Sequence, residues 1–132
     1  MFDVRFQQIM GFLFGLGGEE RIGAYYPSLD VFENEGRLCI EIETPGVDPE
    51  DVDITVLGRE LTISGKKEDP LENKGVRYLR MERSFGRFSR TLEIPERFDL
   101  NKIDAISKDG VLIIKIDRAE LKPVIIKRVY IK

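Results

Sequence analysis

A chain of 132 residues and 15.2 kDa is one domain's worth of protein, and 42% apolar against 34% charged residues excludes a disordered polymer. With no histidine and a single cysteine, Cys39, it cannot build an intramolecular disulfide, a Cys/His zinc site or a histidine-based catalytic triad. A net charge of −3 does not favour nucleic acid as the principal partner.

The first 26 residues form an aromatic-rich arm. Phe2, Phe6, Ile9, Leu13 and Leu16 recur at helical spacing until Gly15, Gly17 and Gly18 break the pattern, and four of the eight phenylalanines fall in the first fourteen residues. Two readings stay open: an amphipathic helix over the domain's own core, or an adhesive segment for self-association or for other proteins. Asp3, Arg5, Gln7 and Gln8 keep the arm from spanning a membrane, and it lacks the charged-then-apolar order of a secretion signal. With cysteine usage that does not suggest an oxidising compartment, the expected location is cytoplasmic.

Residues 27–117 read as an alternating β-rich domain. Leu38, Ile40 and Ile42 alternate with Arg37, Cys39 and Glu41, which puts Cys39 on the polar phase, and Pro45-Gly46 ends the strand in a turn. Val52, Ile54 and Val56 lead through Gly58-Arg59-Glu60 into Leu61, Ile63 and Gly65, a hairpin. Phe88, Leu92 and Ile94 share a phase, and Ile103, Ala105 and Ser107 pass through Asp109-Gly110 into Val111–Ile116, a second hairpin. About seven short strands without long helices predict an all-β fold, an immunoglobulin-like β-sandwich.

Three places break the local rules. Arg90 shares the phase of Phe88, Leu92 and Ile94, so its guanidinium either snorkels from an edge or meets a carboxylate across a subunit interface. Residues 66–84 are densely charged, yet Val76–Met81 has strand-like residues between polar neighbours, as a strand presented on a loop would. Val111–Ile116 is apolar on both phases, which calls for cover on its second face.

From Asp117 to Lys132 the chain carries five basic and two acidic residues, leaving −6 on the rest, so the tail (118–132) complements the body. Val124/Ile126 and Val129/Ile131 are spaced apolar pairs that suit an extended peptide in a groove. Gly15-Leu16-Gly17-Gly18 has neither a preceding strand nor a following Lys-Ser/Thr and reads as a hinge rather than a phosphate loop. The acidic residues alternate along strands as the wet face of a sheet does, so no catalysis and no cofactor are expected.

The segment Ala105-Ile106-Ser107-Lys108-Asp109-Gly110-Val111-Leu112 resembles the A-x-x-x-(N/D)-G-V-L signature of the α-crystallin domain of small heat-shock proteins at every fixed position. Pro45-Gly46-Val47, Leu61-Thr62-Ile63-Ser64-Gly65 and Tyr78-x-x-x-Glu82-Arg83 leading into Phe88-Ser89-Arg90 follow in the family's order, and the similarity runs over residues 27–132. It implies an ATP-independent holdase for non-native client proteins, assembled as a homo-oligomer of strand-exchanged dimers. Segment 76–81 would be the exchanged strand, with Arg90, Tyr78, Glu82 and Arg83 at the dimer interface. The tail pair Val129/Ile131, preferred to Val124/Ile126 for its basic flanks, would dock in a groove lined by Val52, Ile54, Val56, Ile103, Ala105 and Leu112. Phe2, Phe6, Ile9, Phe12, Leu13 and Phe14 would meet clients. The other classes are a CS-type co-chaperone and a monomeric β-sandwich interaction module.

Overall fold

The structure is a computed structural model that describes residues 25–120 and 128–132. Within them seven strands run antiparallel: β1 (Leu29–Asn34), β2 (Arg37–Glu43), β3 (Val52–Leu57), β4 (Glu60–Lys67), β5 (Gly86–Glu93), β6 (Phe98–Lys108) and β7 (Val111–Arg118). They form a four-stranded sheet in the order β1-β2-β7-β6 and a three-stranded sheet in the order β3-β4-β5. The two sheets pack as a sandwich because alternation gives each one apolar face, and those faces bury against each other.

Turn chemistry sets the register. Asp109 and Gly110 sit at φ 52° and 77°, and Glu35 and Gly36 at φ 52° and 76°, the left-handed pairs that match the twist of a two-residue hairpin. The first joins β6 to β7 and places Ala105 opposite Ile114. The second joins β1 to β2 and places Val31 opposite Ile40.

The core takes Leu38, Ile40 and Ile42 from β2, Leu61 and Ile63 from β4, Phe88 and Leu92 from β5 and Leu112, Ile114 and Ile116 from β7. Each such side chain contributes roughly 1.5–3 kcal/mol of burial. Gly65 is required by a close approach: a Cβ there would lie 2.7 Å from both the Phe88 ring and the Asp51 carbonyl. Arg59, read from sequence only as a turn residue, ties the β3–β4 turn to the β5–β6 connection. Its guanidinium donates to the carbonyls of Ile94 at 2.9 Å, Phe98 at 2.8 Å and Pro95. No periodicity marks such a clamp, because its acceptors are main-chain atoms.

Three local expectations are modified. Segment 76–81 forms no strand within the chain; it belongs to the long connection between β4 and β5. Cys39 lies on the outer face as its phase predicts, between Phe32 and Lys115 in the register, yet it is 3% exposed, so the outer phase is not wet there. Tyr25 and Tyr26 lie against the sandwich: the Tyr25 ring meets Phe88 edge-on at 5.5 Å, and its hydroxyl donates to the Glu43 carbonyl at 3.0 Å.

Candidate functional site

Arg90 sits on β5 opposite Ile63 and is 6% exposed, so its head is inside and does not snorkel. Its guanidinium donates to the Pro27 carbonyl at 2.6 Å and lies 4.2 Å from the centroid of the Tyr26 ring. A buried guanidinium is tolerated where its donors are used and an aromatic face supplies favourable electrostatics. The residues preceding β1 are thereby tied to β5 of the other sheet.

The connection 68–85 is the most exposed part of the middle region. Val76 is 48%, Met81 55% and Leu79 94% exposed. Asp69 organises its base: its carboxylate accepts from the Tyr78 hydroxyl at 2.7 Å and the Leu71 N–H at 2.9 Å. The Tyr78 hydroxyl, then the Leu71 amide, hold the Asp69 carboxyl below the usual carboxylate range, and the same hydrogen bond pushes the Tyr78 phenol up. Arg83 stacks on Phe85 at 4.9 Å. Tyr78, Glu82 and Arg83 therefore share one exposed loop, where Tyr78, Arg80 and Met81 line a shallow pocket, while Arg90 is buried in the sandwich. Sequence reading did not single out Asp69, although its place before Pro70 is a turn signal.

The two sheets leave four edges: β1 and β6 on one, β3 and β5 on the other. Val52 and Ile54 on β3 and Ile103 on β6 are half-buried against the common core, Val56 is 42% exposed, and Ala105 is exposed. Leu112 is a core side chain at 6% exposure, which leaves it little surface to offer a groove. In the tail, Val129 is 77% and Ile131 100% exposed. Val124 and Ile126, and the arm residues Phe2, Phe6, Ile9, Phe12, Leu13 and Phe14, lie outside the described residues. Among the described residues no group of three His, Cys, Asp or Glu side chains could hold a metal, and no helix is long and apolar enough to cross a membrane. What the described residues offer is binding: strand edges that no other described strand pairs with, a charged loop carrying apolar side chains, and an apolar tail pair.

The family model described as "Hsp20/alpha crystallin family" matches residues 30–132. The chain is 40% identical over 94 residues to Small heat shock protein C4 of Rickettsia felis, a match over 71% of this chain and 58% of that protein. It thus spans under two thirds of that relative's length. Among solved structures, a small heat-shock protein from Xylella fastidiosa is 28% identical with a TM-score of 0.71, covering 81% of this chain and 99% of that one. Heat shock protein 16.0 from Schizosaccharomyces pombe is 35% identical with a TM-score of 0.65, covering 82% and 99%.

Proposed function

Because the chain belongs to the Hsp20/alpha crystallin family, we propose that it is an ATP-independent chaperone that holds unfolding proteins and keeps them from aggregating. The single observation that carries this reading is where the exposed apolar side chains lie. Leu71, Val76, Leu79 and Met81 on the loop, and Val129 and Ile131 in the tail, sit outside the sandwich, and Val56, Leu57 and Ile106 are exposed on its edge strands β3 and β6. Unfolding clients expose apolar surface, and such segments cover it without directional demands. The arm, with Phe2, Phe6, Phe12 and Phe14, has the same chemistry in its sequence.

The proposed assembly is a homo-oligomer of dimers that exchange segment 76–81, with Arg90, Tyr78, Glu82 and Arg83 at or near the dimer contact. The exposed, unpaired state of that segment supports this, since a strand's hydrogen bonds need a partner. Val129 and Ile131 would dock between the β3 and β6 edges of a neighbour, beside Val52, Ile54, Val56, Ile103 and Ala105. A cytoplasmic location, in keeping with the free buried Cys39, completes the proposal. The test is light scattering from a heated client. An equimolar amount of this protein is expected to suppress the signal without nucleotide; unchanged scattering, or suppression only with ATP, would overturn the reading. Suppression by a protein that is strictly monomeric would favour the CS-type alternative.

A further inference from the structure

We propose that Lys67 is a positioning residue that joins the root of the N-terminal arm to the root of the β4–β5 connection, so that the two segments loosen together. The inference rests on the roles proposed above for the arm and the connection, and it adds the residue that couples them.

The last residues of the arm and those that follow are fastened to both sheets. The Ser28 carbonyl accepts from the Glu43 amide at 3.0 Å, and the Pro27 carbonyl accepts from Arg90. Tyr25 spans the two sheets, because its hydroxyl donates to the carbonyl of Glu43 at the end of β2 while its ring meets Phe88 of β5. Residues 25–28 are thus a root, and whatever binds the arm pulls on it.

The connection starts and finishes beside that root. Lys67 is the last residue of β4 and stands in register with Gly86, the first of β5, so Lys67 and Phe85 mark the two ends of the excursion. The Lys67 ammonium lies 4.8 Å from the centroid of the Tyr25 ring and 5.9 Å from that of Phe85. Both rings are half-buried. Arg83 lies 4.9 Å from the centroid of the same Phe85 ring, which carries the series of contacts on into the connection. Among the described residues no carboxylate reaches ion-pair distance of Lys67. Its charge faces two rings from two different segments.

A cation within about 6 Å of a ring centroid is attracted to the ring face, and one ammonium can serve two rings at once. If Tyr25 leaves, Lys67 loses the contact that steadies its flexible stem, and its hold on Phe85 weakens. The converse follows, since coupling between two sites is reciprocal. At a partly exposed site such a contact shifts an opening equilibrium about two- to fivefold. A client that draws the arm off its root therefore also loosens the connection that a second copy would take. Tyr25 has another route to β5 through Phe88, and removing the Lys67 charge tells the two routes apart.

Amide-hydrogen exchange on the full-length chain tests this, with the Glu43 amide reporting the arm's root and the amides of residues 84–87 reporting the connection. Tyr25→Leu is expected to raise exchange at 84–87 at least twofold, and Phe85→Leu to raise it at Glu43 at least twofold. In a Lys67→Gln background both distant effects should fall below twofold, whereas Lys67→Arg, which keeps the cation, should preserve them. Circular dichroism checks that each variant folds; should Tyr25→Leu fail, the Phe85→Leu measurement carries the test. Distant effects below twofold in the chain that keeps Lys67, effects that survive Lys67→Gln, or their loss in Lys67→Arg would overturn the proposal. A parent chain that shows the coupling yet leaves client scattering unchanged would instead overturn the chaperone reading, with the link between the two roots upheld.

Discussion

Replacing Arg90 by alanine is expected to lower the stability of the folded chain by about 3 to 5 kcal/mol, the combined loss of a buried hydrogen bond, a cation–π contact and packing. The Pro27 carbonyl loses its donor 2.6 Å away, and an orphaned buried acceptor costs about 1 to 3 kcal/mol. The Tyr26 ring loses a cation 4.2 Å from its centroid, a contact worth up to about 2 kcal/mol when desolvated. A cavity beside Phe88 and Leu92 adds to the loss. For a domain of this size the melting temperature should fall by roughly 10 to 15 °C. Arg90→Lys keeps the charge but not the flat, stacking head, and should lie between parent and alanine variant. A melting temperature within 2 °C of the parent's for the alanine variant would show that the buried guanidinium is not holding the chain before β1 to β5.

The tail pair should act on assembly and leave the fold alone. Val129 and Ile131 are 77% and 100% exposed, so trimming both to alanine removes nothing from the core of a single chain. Docked in a groove, the two side chains are worth roughly 3 to 6 kcal/mol before the cost of ordering a tail is subtracted. One such contact is reversible, and many in parallel still hold an assembly. Val129→Ala with Ile131→Ala is therefore expected to release dimers in native mass measurements while the circular dichroism of the sandwich stays unchanged. If that variant keeps the parent mass while Val124→Ala with Ile126→Ala falls to dimers, the other pair is the one that docks. If neither changes mass, tail docking does not assemble the protein.

The sandwich was legible because its signals are local. Ile40 and Ile42, Leu61 and Ile63, and Ile114 and Ile116 alternate with polar or outward residues, and Asp109-Gly110 needs only its own backbone preference to close a hairpin. Arg90 stood out for the opposite reason, as a charge on an apolar phase, and burial agrees with the phase. Its contacts with Pro27 and Tyr26, 63 and 64 positions earlier in the chain, have no sequence signal. The same holds for Arg59, whose three acceptors are carbonyls that any residue would supply. The phase of Cys39 was legible and its burial was not, because alternation reports which face a side chain is on, and not what its neighbours leave uncovered. Glu35-Gly36 passed unnoticed as a hairpin because glutamate is an uncommon occupant of a left-handed position, and here it takes φ 52°. Segment 76–81 carries strand-like residues but pairs with no strand among the described residues, and alternation does not say where a strand finds its partner.

In the proposed assembly the strand edges, charged loop and tail of one sandwich are completed by other copies. The most direct test is the native mass of the full-length parent protein at micromolar concentration. The account predicts an even number of 15.2 kDa subunits, with dimers as the smallest species released on dilution. A parent protein that runs as a monomer, with segment 76–81 still exchanging its amide hydrogens as freely as an unpaired loop, would contradict it.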